Sequence, residues 1–318
     1  MKQKIFGALL ALTVSGAAVA EMPKSFTVGT ASQGGTYFTY GSGWANLVSS
    51  KLGIPGGGEV TGGPTQNLAL VHTGELEFGL TTMGPASEAL AGKSPLMPGM
   101  KMDQVRAIFP MYQTPFSITT LSSSGITSIS EIPKGAKIGF GPAGSTSDTY
   151  FPKMLTMLGV DYQKRNGGWN DLVGQLQDGL IDVIAFAAGI PIPAVSQLEV
   201  QQKINIISMS DDEIAKITSE FPVSPFEIPA STYTTLGDKS SNVVSMWNFA
   251  IANASLDDDF VYKVVSIVMG QHDDMMRIHK SAKTTIPENY IHNTTIKWHP
   301  GAVKWFEENG YKIPENLK

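Results

Sequence analysis

Two glycine-rich stretches hold the residue types from which this chain could build a site. In Thr27-Val28-Gly29-Thr30-Ala31-Ser32-Gln33-Gly34-Gly35-Thr36-Tyr37-Phe38 an apolar strand runs into a glycine turn that opens a helix. The first N–H groups of a helix lack internal partners and the helix dipole makes that end positive, so a carboxylate or phosphate can be held there without a charged side chain. Glycine lets the backbone approach closely. Ile138-Gly139-Phe140-Gly141-Pro142-Ala143-Gly144-Ser145-Thr146-Ser147 repeats the pattern, pairing Gly29 with Gly139, Gly34 with Gly144 and Thr36 with Thr146. Two similar cradles predict two lobes.

The candidate donors are Gly34, Gly35 and Thr36 in the first cradle and Ser145, Thr146 and Ser147 in the second. Each hydroxyl could donate to a carboxylate; each could equally cap its own helix, as Ser and Thr commonly do. Tyr37 either lies over a cleft or packs inward. Thr81 and Thr82 end an apolar strand, and open α/β sheets bind ligands at strand C-terminal ends. Trp169 either walls the cleft or joins the core, and Gly189 ends the strand Ala185-Phe186-Ala187-Ala188-Gly189 opposite. Asn67 either reaches a solute or caps its helix, the second being the reading preferred. Arg106 and Arg165 are the cations nearest these elements in sequence, and a buried Arg fork would clamp a carboxylate. Asp148, Glu88 and Asp171 read as helix-start or surface carboxylates.

Catalytic and metal chemistry find little support. Gly-x-Ser-x-Gly, His-Glu-x-x-His and the phosphate-binding Gly-x-x-x-x-Gly-Lys-Ser/Thr motif are all absent from the sequence. The five His lie at 72, 272, 279, 292 and 299, too scattered to name a metal site. Asp257-Asp258-Asp259 lacks the oxygen spacing of a calcium loop and reads as a helix start. Neither a metal nor a cofactor is expected.

The elements that must position these residues follow from hydrophobic periodicity. Phe38, Trp44, Leu47, Val48 and Leu52 mark a helix ended by Gly53, and Pro55-Gly56-Gly57-Gly58 reads as a loop before a short strand at Val60-Thr61. A second helix opens at Gly62-Gly63-Pro64 and closes at Gly74, and Leu76 to Thr82 is an apolar strand. That order is βαβαβ, which implies a parallel sheet. The half from Gly63 recurs with a shorter offset, pairing Gly63 with Gly168, Leu76 with Ile181 and Gly84 with Gly189. Between the units, Val105 to Leu121 is β-rich. A return crossing is expected from Pro229 to Ile251, with Ser231-Thr232-Tyr233 and Val243 to Trp247 extended. Two crossing strands make a hinge.

Composition sets the compartment. Lys2 and Lys4, an apolar run from Ile5 to Val14, and Ala18-Val19-Ala20 form a secretory signal with cleavage expected after Ala20. Removing it takes Lys+Arg from 23 to 21 against 28 Asp+Glu, a net charge of -7. Neither sign forms long blocks, which argues against nucleic acid or an acidic membrane surface. There is no Cys, so a large core rather than disulfides must stabilise the exported chain.

Four spaced motifs together carry a resemblance. Gly29-Thr30 with Gly34-Gly35-Thr36-Tyr37-Phe38, then Thr61-Gly62-Gly63 with Asn67, then Gly141-Pro142-Ala143-Gly144-Ser145, and lastly His299-Pro300-Gly301-Ala302 with Glu308-Asn309-Gly310 resemble the TAXI family. Its members are extracytoplasmic solute-binding proteins of tripartite (TRAP-type) secondary transporters. The resemblance implies a periplasmic-binding-protein fold, type II-like, whose lobes close on a small carboxylate and deliver it to a membrane permease. It places Gly34 to Tyr37, Thr81, Thr82 and Ser145 to Ser147 in the cleft. Trp169 and Ala185 to Gly189 depart from any one ligand class.

The expectation is therefore a non-enzymatic, monomeric periplasmic protein for a dicarboxylate such as 2-oxoglutarate, or for glutamate. Its boundaries are a signal peptide over 1–20, lobe 1 over 21–114 and 245–318, and lobe 2 over 115–244. A secreted hydrolase using Ser145 is the competing class, and an adhesive surface protein the third.

Overall fold

The computed structural model describes residues 22–318; the signal-peptide expectation lies outside them. In chain order the first unit is β1 (Phe26–Gly29), α1 (Thr36–Leu52), β2 (Gly56–Glu59), α2 (Pro64–Thr73), β3 (Phe78–Thr82) and α3 (Met83–Leu90). The long strand β4 (Val105–Leu121) leads into the second unit. That unit is β5 (Ala136–Gly139), α4 (Thr146–Met157), β6 (Tyr162–Arg165), α5 (Trp169–Gln177), β7 (Val183–Ala187), α6 (Pro193–Gln201), β8 (Ile204–Ile207), α7 (Asp211–Glu220) and β9 (Ser224–Ile228). The chain returns through β10 (Ser241–Asn253) to α8 (Asp258–Gly270), α9 (His272–Ile278) and α10 (Pro300–Glu308).

The internal repeat holds at the level of register. In the first unit β1 pairs in parallel with both β2 and β3, Val28 facing Phe78. In the second, β5 pairs in parallel with both β6 and β7, Ile138 facing Val183. Gly34 and Gly144 occupy the same left-handed conformation, with φ of 86° and 82°, just before α1 and α4. Only glycine adopts it without strain. The repeat breaks after the third strand: α3 starts directly at Met83, whereas Ala188 to Ile192 intervene between β7 and α6.

Two expectations are corrected. The extended segment after α1 is Gly56–Glu59, not Val60-Thr61. Its glycines are what let it form, because a Cβ at Gly56 would overlap the Phe26 ring and one at Gly58 would overlap Ser42 of α1. Side-chain periodicity cannot reveal a strand made of glycine. Ser231 and Thr232 are not extended either; they belong to a 3₁₀ turn, Ala230–Thr232, and only Tyr233 is extended, joining it to a second turn, Thr234–Leu236.

The apolar residues form two separate clusters. One gathers Phe26, Trp44, Phe78, Phe109 and Phe260 with α8 and α10, its rings packed edge to face, with Trp44 5.6 Å from both Phe78 and Phe109. The other gathers Phe116, Ile138, Phe151, Leu172, Val183 and Ile184. Strands β4 and β10 serve both. They run antiparallel, Trp247 facing Gln113 and Ser245 facing Pro115, and β4 then pairs with β7 and β8. Asp257 Oδ1 accepts from Phe260 N at 2.8 Å, so the acidic triplet does start a helix. No helix among the described residues is long and apolar enough to cross a membrane.

Candidate functional site

The C-terminal ends of β1, β3, β5 and β7 and the helix starts that follow them converge between the two clusters. They enclose a cavity of about 30 Å³ whose lining includes Gly35, Thr36, Tyr37, Ser145, Thr146 and Trp169, room for roughly one or two waters. The lobes are shut on each other. Thr36 Oγ1 donates to the Gly189 carbonyl, the Thr82 and Thr146 hydroxyls share a hydrogen bond of 2.9 Å, and Ala194 N donates to Gly34 O at 3.0 Å.

Each predicted residue has a definite place. Gly34 and Gly35 lie under Asn170 and Trp169, where Cβ atoms would crowd both side chains. Tyr37 lines the cavity and donates to Asn248 Oδ1 at 2.6 Å. Burial raises its pKa well above the ordinary phenol range, so it stays a neutral donor. Thr81 is buried and donates to the Thr82 carbonyl. Ser147 Oγ accepts from Ala187 N at 2.7 Å, tying α4 to the end of β7. Trp169, the first residue of α5, stacks on Phe186 with ring centroids 3.2 Å apart and forms a wall of the cavity.

The two cradles differ in how they are capped. Gly35 gives α1 no side-chain cap, and among the described residues no side chain accepts from its first-turn N–H groups. Ser145 caps α4, its Oγ accepting from Asp148 N and donating to Phe140 O, both at 3.2 Å. Asp148 in turn accepts from Gly144 N at 3.0 Å and pairs with Lys164. The second cradle thus already holds a carboxylate of its own. Ser145's hydroxyl is occupied by two backbone groups, while Thr146 is the one in contact with the facing lobe.

Other candidates lie elsewhere. Arg106 donates to the carbonyls of Asp103 and Val105, and Arg165 to Lys164 O and Gln163; neither lines the cavity. Glu88 is not a free surface carboxylate, since Tyr150 OH donates to it at 3.1 Å across the lobes. Asn67 is not a cap: its Nδ2 donates to Thr30 O and Leu80 O and its Oδ1 accepts from Thr61, which straps β1 to β3. The sequence does not single out Asn248 or Thr114, which are joined at 2.7 Å beside Tyr37. A lone amide inside the apolar run Val243 to Ile251 is the signal that points to Asn248.

Known structures share this fold. MatC from Rhodopseudomonas palustris with bound malate is similar at 16% identity over 89% of this chain and 96% of that one, with a TM-score of 0.59. An R. palustris protein with adipate is 17% identical over 82% and 89%, with a TM-score of 0.56. The substrate binding protein of an amino acid ABC transporter is 13% identical over 80% and 96%, with a TM-score of 0.51. At these identities the likeness is one of fold, the two-lobed α/β fold of periplasmic solute-binding proteins. The NMT1-like family model matches residues 28–310, nearly all of the described chain, and the protein belongs to that family.

Proposed function

We propose that this protein is the exported, periplasmic solute-binding subunit of a TRAP-type transporter, of the TAXI kind, capturing a small carboxylate and passing it to a membrane permease without turning it over. The observation that carries this reading is the glycine-turn start of α1, which no side chain caps, facing Thr146 of the second glycine turn across the inter-lobe cavity. In this reading the bare start of α1 receives one carboxylate, and Tyr37 and Thr146, which line the cavity, with Thr82 bonded to Thr146, take the rest of the solute. The bonds that now join the lobes must open for a solute of that size to enter.

The lobe division, 21–114 with 245–318 against 115–244, agrees with the two separate apolar clusters and with β4 and β10 as the hinge. Malate and adipate in the structurally similar proteins support a dicarboxylate. Among the described residues no carboxylate side chain lines the cavity to receive an ammonium, which favours 2-oxoglutarate over glutamate. Ser145, the nucleophile of the hydrolase alternative, bonds through its hydroxyl to Phe140 O and Asp148 N and, among the described residues, to no histidine.

Calorimetry with 2-oxoglutarate, glutamate, malate and a neutral sugar side by side tests the reading, with the best binder checked by mass after hours of incubation. Tightest binding by a dicarboxylate, recovered unchanged, is the expected result. A sugar binding more tightly than all three acids, or conversion of the solute, would overturn it.

A further inference from the structure

A second space lies between the lobes on the far side of Gly189. Its volume is about 500 Å³, within the range of small-molecule sites and far larger than the front cavity. The hinge strand supplies Tyr112 and Gln113, the second lobe supplies Phe226, Pro229, Ser231 and Thr232, and the first lobe supplies the 3₁₀ turn Lys280–Thr284. The segment from Gly189 to Pro191 separates it from the front cavity: Gly189 bonds to Thr36 on one side, while Ile190 and Pro191 line the crevice on the other.

Its chemistry selects a ligand class. Lys280 and Lys283 both line the crevice, and among the described residues no carboxylate does. Residues three apart on a 3₁₀ turn project to the same side, so two ammonium groups are presented together. Among the described residues neither has an ion-pair partner. Tyr112 is 1% exposed and its hydroxyl has no hydrogen-bond partner among the described residues, although a buried polar group left unpaired is costly. Ile190, Pro191, Phe226 and Pro229 offer an apolar wall.

We propose that this crevice is a second ligand site, for an organic carboxylate or sulfonate with an aromatic or branched apolar body, held at its charged end by Lys280 and Lys283. The apolar body packs on Phe226 and Pro191, and the hydroxyls of Ser231 and Thr232 face it from the second lobe. Because both lobes and the hinge strand line it, an occupant touches all three. The proposal does not depend on the identity of the front-cavity solute.

Titration with the fluorescent aromatic sulfonate 8-anilinonaphthalene-1-sulfonate tests it. The expected result is one saturable site in the wild-type chain, weakened at least about ten-fold by Lys280→Glu/Lys283→Glu, since charge-assisted contacts contribute on the order of ten-fold each. The exposed control pair Lys51→Glu/Lys203→Glu should leave it unchanged. Thr232→Trp, which fills the crevice without changing charge, should also abolish it. Equal affinity in the Lys280/Lys283 variant, or retention of binding in Thr232→Trp, would overturn the assignment.

Discussion

The hydroxyl of Thr36, first residue of α1, donates to the carbonyl of Gly189 in the facing lobe. The two belong to opposite halves of the repeat, and the segment bearing Gly189 is the one that breaks it. The bond exists only while the cleft is shut. A neutral hydrogen bond contributes about 1 kcal/mol net, so Thr36→Val should lower the ratio of closed to open molecules about five-fold. The absence of Cys makes the measurement direct: dyes on cysteines introduced at exposed Lys51 and Lys203 report the lobe separation by energy transfer. Identical transfer in the variant would mean the bond does not hold the lobes together.

Gly189→Ala should obstruct closure by a different route. The added Cβ would overlap the Tyr112 ring and lie 3.0 Å from Thr36 Cγ2. Overpacking typically costs about 1–3 kcal/mol, so solute affinity should fall on the order of ten- to hundred-fold with little change in the melting of either core. Calorimetry on the variant decides it, and wild-type affinity would show that the cleft binds solute without reaching this closed arrangement.

Neighbouring hydroxyls on α4 should separate cleanly. Thr146 faces Thr82 across the lobes, so Thr146→Ala should weaken solute binding about ten-fold and leave Tm nearly unchanged. Ser145 caps the helix; Ser145→Ala should cost about 1 kcal/mol of stability, a Tm lower by a few degrees for a domain of this size, with affinity retained. Swapped outcomes would move the solute contact from Thr146 to Ser145.

Acid should destabilise the fold through two histidines. Burial lowers the pKa of both His279 and His299 from 6.5 to about 4. His279 Nε2–H donates to Pro191 O at 3.0 Å across the lobes, and its Nδ1 accepts from Ser281. The folded state therefore holds these rings neutral while the unfolded chain protonates them first. Their contribution is complete above pH 6.5, is lost as pH falls toward 4, and amounts to about 3 kcal/mol for each ring at most. Tm measured from pH 7 to pH 4 should fall through that window, and His299→Asn, which keeps an acceptor for Gly301 N, should flatten part of the slope. A parallel curve for the variant would remove His299 from the account.

Much of the fold is legible in the sequence because its repeated parts obey local rules. Gly34 and Gly144 are required by left-handed turns, and the apolar runs ending at Thr82 and Ala187 alternate with helices of period 3.6. What escapes is set by contacts between distant segments. The Gly56–Glu59 strand depends on the Phe26 ring above it, and the role of Asn67 depends on the carbonyls of Thr30 and Leu80. Glu88 finds Tyr150 only once the lobes meet. The site is legible to the same degree: the turns name Thr36 and Thr146, but nothing local distinguishes Ser145 as the cap from Thr146 as the cross-lobe partner.

The double crossing of the chain through β4 and β10 also orders its assembly in time. The edge of β3 away from β1 pairs with β10, and everything from β4 to β9 is made before that strand. A chain emerging N-terminus first therefore carries its opening βαβαβ unit with a bare parallel-sheet edge while the second unit passes. Such an edge invites pairing with other chains, so the first-made half is the last to be sealed and depends most on being kept apart from its neighbours until the return strand arrives.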